Sequence, residues 1–185
     1  MKTYIALFRS LNVGWKNTLP MKTLIAILEE VGFRNVKTYI QSGNAVFDTS
    51  ANEPAQLLKN IGSEIKQRRG FEPYVLLLGL EVIEKAIANN PFPEAGKDPQ
   101  ALHLGFLASD PKDPDLKTLE SLRKDSERFQ LIDNVFYLYA PEGVGRSRLA
   151  ANAERFLGVT MTDRNWRTVC KIMEMAKELN EETNI

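Results

Sequence analysis

The chain of 185 residues has one cysteine, Cys170. No disulfide can form within it, which suits a reducing compartment. It has one histidine, His103, and nothing in the sequence pairs that residue with Cys170 into a nucleophile–base dyad. No metal-ligand spacing is present, so no metal, cofactor or catalytic residue is expected. An excess of charge is also missing: 24 basic and 24 acidic residues give a net charge of zero. That excludes a nonspecific nucleic-acid coat, which needs overall positive charge. No apolar run reaches membrane length, and Met1-Lys2-Thr3-Tyr4 enters a strand pattern at once. Neither membrane contact nor a leader is expected, and the expected location is cytoplasmic.

Hydrophobic residues make up 43% and charged residues 26%, as in a soluble globular protein with a sizeable core. The length fits one large domain or two small ones. Basic charge is local. Residues 1–44 hold Lys2, Arg9, Lys16, Lys22, Arg34 and Lys37 against Glu29 and Glu30. Residues 143–171 hold Arg146, Arg148, Arg155, Arg164, Arg167 and Lys171 against Glu154 and Asp163.

Tyr4–Phe8 reads as a strand. Pro20 opens a helix with Leu24, Ile27, Leu28 and Val31 at helical spacing, stopped by Gly32. Two strands follow, Val36–Ile40 and Ala45–Phe47, joined tightly through Ser42-Gly43-Asn44, where Gly43 and Asn44 tolerate positive φ. Asn52 is the expected cap of a second helix, with Pro54 in its first turn and Leu57, Leu58, Ile61 and Ile65 on its buried face. Tyr74–Leu78 is a strand, and Val82, Ile83, Ala86 and Ile87 mark a third helix. A loop with Pro91, Pro93, Gly96 and Pro99 then separates two halves, 1–95 and 96–185.

The second half restarts with a strand at Leu102–Leu107. Asp113 and Pro114 open a helix carrying Leu116, Leu119 and Leu122. A hairpin is expected from Phe129–Ile132 and Val135–Tyr139 around Asp133-Asn134, then helices near Ser147–Leu157 and Asp163–Leu179. The expected fold class is α+β: duplicated ferredoxin-like (split βαβ) half-domains, antiparallel sheets with helices on one face. The second copy is expected to end in a helix where the first has its closing strand.

Three polar segments exceed what folding demands: Arg9–Asn17, Thr38–Asn44 and Thr162–Thr168. In this order and spacing the chain resembles the bacterial domain of unknown function family numbered 1697. Members carry Arg-Gly-Ile-Asn-Val-Gly-Gly-Lys-Asn after the first strand, a Thr-Tyr-Ile-Gln-Ser-Gly-Asn hairpin and a Thr-Arg-Asn-Trp segment at the last helix. Asn90-Pro91-Phe92 matches a further family segment. Ser10 and Trp15 stand where the family has glycine, so Trp15 would narrow a site that those glycines open. The family has no established activity, and the resemblance implies nucleic-acid binding only as a suggestion attached to the fold.

Each segment has two readings. Arg9 and Lys16 can meet anions while Asn12 and Asn17 give directional hydrogen bonds, or Asn12, Gly14 and Asn17 simply build a turn. Gln41 and Asn44 can face a ligand, or Ser42, Gly43 and Asn44 satisfy local backbone. Arg164, Asn165 and Arg167 can bind an anion at a helix start, with Trp166, Val169, Ile172, Met173 and Ala176 as a buried stripe. The Gly143–Ser147 stretch lacks the spacing and lysine of a phosphate loop. His103 is expected on a solvent-facing or inter-half surface, and Cys170 as an inert buried thiol.

Three functions stand at this point. The first is binding of single-stranded nucleic acid or another phosphate-bearing ligand, with Tyr4, Phe8, Tyr39 and Phe47 on the strands that could stack bases. The second is an enzyme acting on an anionic metabolite. The third is a purely structural role for the motifs. The first predicts that Arg9, Lys16, Asn44, Arg164 and Arg167 lie near one another.

Overall fold

The computed structural model describes residues 1–14, 17–51 and 53–183. Seven elements run in the order βαββαβα: β1 (Lys2–Phe8), α1 (Met21–Glu30), β2 (Arg34–Tyr39), β3 (Asn44–Thr49), α2 (Pro54–Arg69), β4 (Val75–Gly79) and α3 (Leu80–Ala88). The same order repeats as β5 (Leu102–Leu107), α4 (Leu116–Leu122), β6 (Arg128–Ile132), β7 (Val135–Tyr139), α5 (Arg148–Leu157), β8 (Met161–Asn165) and α6 (Trp166–Thr183). Short 3-10 turns lie at Pro93–Gly96 and Val144–Arg146. The sheets are ordered β2-β3-β1-β4 and β6-β7-β5-β8, and all their pairings are antiparallel. This is the α+β, duplicated split βαβ architecture the sequence leads one to expect.

The chain divides into two units, Met1–Glu84 with Lys171–Ile185, and Lys85–Cys170. In the first, β1 alternates. Ala6 and Phe8 point to the layer of α1 and α2, where Leu24, Ile27, Phe47, Ile61 and Ile65 complete a core. Ile5 and Leu7 point the other way and are equally buried. On that second face Asp48 sits fully buried in β3. It accepts hydrogen bonds from Thr3 Oγ1 (2.7 Å), Asn35 Nδ2 (2.9 Å) and Thr183 Oγ1 at the end of α6 (2.6 Å). A buried carboxylate is tolerable because donors replace the water it loses.

In the second unit Leu107, Phe136 and Leu138 pack with Leu119, Leu149, Ala153 and Leu157 of α4 and α5. Leu102, Leu104, Phe106 and Tyr137 fill the opposite face, where Tyr137 Oη donates to the Ala86 carbonyl of α3 (2.7 Å). Helix termini follow local chemistry. Ser147 Oγ accepts from Ala150 N–H (3.0 Å), and Gly158 ends α5 in the left-handed region.

Several expectations are corrected. The second copy does have its closing strand: Met161–Asn165 is β8, and the last helix begins at Trp166 rather than Asp163. Asp, Arg and Asn favour strands poorly, so the polar run looked like a helix start. Pairing with β5 overrides that preference. The helix after Pro114 is capped by Asp115, whose carboxylate accepts from Thr118 N–H (2.9 Å) and Thr118 Oγ1 (2.6 Å). Those bonds hold the Asp115 carboxyl below its ordinary range. In the first hairpin Gly43 takes positive φ (76°), but its partner there is Ile40 (48°), and Asn44 already lies in β3. The expected Asn52 cap lies outside the described residues. Among them, no helix is long and apolar enough to cross a membrane.

Burial, and then the negative charge of Asp133, push the Tyr137 phenol up to about 12. An unfolded tyrosine titrates near ~10. Its contribution to stability is therefore complete below about pH 10 and is lost as pH rises through about 12. Tyr137→Phe leaves the Ala86 carbonyl without its partner and should cost about 1–3 kcal/mol at neutral pH. Urea unfolding at a series of pH values should show the gap between wild type and variant narrowing above about pH 10. A pH-independent gap contradicts this account.

Candidate functional site

The first two motifs meet at one end of the first sheet. Phe8 N–H donates to the Gly43 carbonyl (2.8 Å) and Arg9 N–H to the Tyr74 carbonyl (2.9 Å). The hairpin tip is pressed against β1. A Cβ on Gly43 would stand 2.7 Å from Phe8 Cβ and 2.9 Å from Leu11 Cδ1. The loop after β1 is wound through left-handed positions at Ser10 (59°), Asn12 (56°), Gly14 (60°) and Asn17 (52°). The φ of Ser10 gives a physical reason for the family's glycine there. Ile40 is also left-handed and half exposed, a strained choice for a β-branched residue.

Asn12 is the clasp of this arrangement. Its Nδ2 donates to the carbonyls of Leu19 (2.9 Å) and Gln41 (2.7 Å), and its Oδ1 accepts from Leu19 N–H (2.8 Å). Asn44, 1% exposed, directs Nδ2 to the Tyr39 carbonyl and Ser42 Oγ, both at 3.0 Å. Asn17 is half-buried, and its carbonyl accepts from Asn12 N–H (3.2 Å). These amides build the turns. Gln41 keeps an exposed side chain and Arg9 a half-buried one at the strand end. Trp15 and Lys16 lie outside the described residues.

Helix α1 starts from this loop. Its cap position, Pro20, offers no side-chain bond, and its first turn has no acidic residue. Instead Lys22 stands there, exposed, and Arg69 Nη2 donates to Thr23 Oγ1 (3.2 Å). Cations beside a helix N-terminus oppose its dipole.

Of the four aromatic residues expected to stack bases, three pack in the core, and Tyr39, at the end of the edge strand β2, is half-buried. Phe8 and Phe47 are fully buried against the helix layer, Phe47 stacks on Phe33 (centroids 4.1 Å apart), and Tyr4 packs on the same core.

The third motif belongs to the second unit. Asn165 Oδ1 accepts from Thr168 N–H (2.9 Å) and so caps α6. Arg164 Nη1 donates to the Asp163 carbonyl (2.7 Å). Burial pulls the Arg164 guanidinium down to about 10, opposed by the charge of Asp163. Arg167 is exposed at the start of α6. Of the five residues expected to converge, Lys16 lies outside the described residues, Arg9 and Asn44 belong to the first unit, and Arg164 and Arg167 to the second. The Asn90-Pro91-Phe92 segment is a self-bonded turn, Asn90 pairing with both Phe92 N–H (2.9 Å) and its carbonyl (3.1 Å).

His103 departs from expectation. It lies 12% exposed on the face that α4 and α5 cover, with Nδ1 2.8 Å from Asp163 Oδ2. The pair was hidden because Asp163 reads as a helix start. Only the β5–β8 register, with Gly105 opposite Asp163, brings it within reach. Burial pushes the Cys170 thiol up, so little thiolate is present at neutral pH. Among the described residues no group of three or more His, Cys, Asp or Glu side chains could hold a metal ion.

The fold and loop geometry define a duplicated split βαβ protein whose polar motifs sit at strand ends. Residues 1–137 match the model of the family described as "Protein of unknown function (DUF1697)", and the chain belongs to that family. No curated protein matches it in sequence. Among solved structures it is similar to the conserved bacterial protein SP0830 from Streptococcus pneumoniae. Identity is 27% and the TM-score 0.72, over 96% of this chain and 99% of that one.

Gly43 and Gly70 share nearly the same φ, 76° and 77°, but nothing lies within 4 Å of a Cβ on Gly70. Alanine at either site should carry the left-handed penalty of about 1–2 kcal/mol. Gly43→Ala should add an overpacking cost of about 1–3 kcal/mol. Equal urea midpoints for the two variants would show that the hairpin tip is not clamped.

Proposed function

We propose that the first unit is a binding module for a small phosphate-bearing ligand, received at the loop end of its sheet. The observation that carries this is the first turn of α1. It has no acidic residue and no side-chain cap, yet it holds Lys22 and, through Thr23, the guanidinium of Arg69. Backbone N–H groups and cations gathered at one helix start favour an anion. Gln41, whose carbonyl shares the Asn12 amide with Leu19 just before α1, supplies an amide beside it. Asn12, Asn17 and Asn44 act by holding the loops in place. With Phe8 and Phe47 in the core, base stacking has no part in this reading. The ligand is therefore a small anion rather than a nucleic-acid strand.

Inorganic phosphate, a nucleoside monophosphate and an oligothymidylate titrated into the protein test it. One of the two small ligands should raise the melting temperature, with affinity falling between about 50 and 200 mM salt. Lys22→Ala and Arg69→Ala should each weaken binding roughly tenfold, the value of one charge-assisted hydrogen bond. No shift with any ligand refutes the proposal. An oligonucleotide that binds far more tightly than the monophosphate would return the reading to nucleic acid.

A further inference from the structure

We propose that the second unit holds a separate site for a small apolar amine, in the cavity beside Asp163. The cavity has a volume of about 330 Å³, at the small end of the range for ligand pockets. Phe136, Leu138 and Met161 line it from the strands, and Val144 and Ala150 from the turn and helix that follow. Asp163 is the ionisable group in this lining.

The fold does not call for a carboxylate at this position, as its own duplication shows. In the first sheet β4 pairs with β1 so that Leu77 stands opposite Ala6. In the second, β8 pairs with β5 so that Asp163 stands opposite Gly105. Leu77 packs on the first unit's core. The equivalent place in the second unit carries a charge, at the cost of that apolar contact. A residue that departs from what the architecture favours is a candidate for function, and here the departure also gives His103 a partner and sets a negative charge near Arg164.

The carboxylate is also available. Its side chain is 42% exposed, and among the described residues its hydrogen-bond partner is His103, which meets Oδ2 through Nδ1. That contact orients the carboxylate and leaves Oδ1 for a ligand. Gly105 opposite has no side chain, and the Met161 thioether, which also lines the cavity, occupies the space a Cβ there would take. A carboxylate at the end of an apolar cavity attracts a protonated nitrogen and repels an anion, more strongly than in open water. The ligand that fits is a compact apolar body carrying one ammonium group, opposite in charge to the ligand proposed for the first unit.

Three probes of one shape test this: phenethylamine, phenethyl alcohol and hydrocinnamate, titrated into the isotope-labelled full chain and followed by amide shifts. The amine should give saturable shifts in residues 144–153 and 161–163. The alcohol should bind about tenfold or more weakly, as expected when a charge-assisted bond is lost. Asp163→Asn, close to isosteric, should remove the preference for the amine, and Ala150→Phe should occlude all three probes. Equal binding of amine and alcohol, tightest binding of hydrocinnamate, an Asp163→Asn variant that binds the amine as wild type does, or no saturable shift in these residues would each overturn the proposal. Because the shifts are read in the second unit, this test stands or falls independently of the phosphate site.

Discussion

Burial of both faces of each central strand is the constraint on which the rest depends. In β1 four consecutive residues, Ile5 to Phe8, are wholly inaccessible. Half-buried strands alternate apolar with polar, whereas strands covered on both sides read as continuous apolar runs. Each inward side chain removes apolar area worth roughly 1.5–3 kcal/mol when fully buried, so neither face of these strands can be uncovered cheaply. An open sheet face is what a stacking mode of RNA recognition requires. The same burial that stabilises the domain therefore closes the central strands to that mode and leaves strand ends, loops and edges as the accessible places.

At those places polar groups do two kinds of work. Asn12, Asn44 and Asn165 each satisfy backbone groups that the chain would otherwise leave unpaired. A buried donor or acceptor without a partner costs about 1–3 kcal/mol, which is reason enough for an amide at each position. Gln41 differs, because its carbonyl serves the clasp while its side chain stays in solvent. Lys22 and Arg69 differ again, since they sit where a helix dipole disfavours them. Gln41, Lys22 and Arg69 are thus residues of this end whose side chains the turns do not need for their own backbone bonding.

Much of the fold was legible because its signals are local. The strand Leu102–Leu107 and the hairpin around Asp133 follow from apolar patterning and turn residues. The strand β8 was not legible. Its residues Asp163 to Asn165 carry no strand signal of their own, and the free edge of β5 makes them a strand. The same omission concealed the His103–Asp163 contact, whose partners are 60 positions apart. The motif residues were legible as important but not as to role. An asparagine beside a glycine reads equally as a turn builder or a ligand contact until its amide partners are known.

Duplication makes the two sheets controls for one another. Their registers superpose Tyr4, Ala6 and Phe8 on His103, Gly105 and Leu107, and Gly79, Leu77 and Val75 on Asn165, Asp163 and Met161. Only the Phe8–Leu107 and Val75–Met161 pairs keep large apolar character on both sides. At three of the other four positions the first sheet has the aromatic, methyl and isobutyl groups a core wants, and the second has an imidazole, a bare backbone and a carboxylate; at the fourth, Gly79 stands where the second sheet has Asn165. A split βαβ unit tolerates that exchange because the closing strand is an edge, where one side of the ladder already meets solvent. Asp163 thus occupies the edge of the sheet, where departing from apolar packing costs least, while its partner His103 reaches it from the central strand β5.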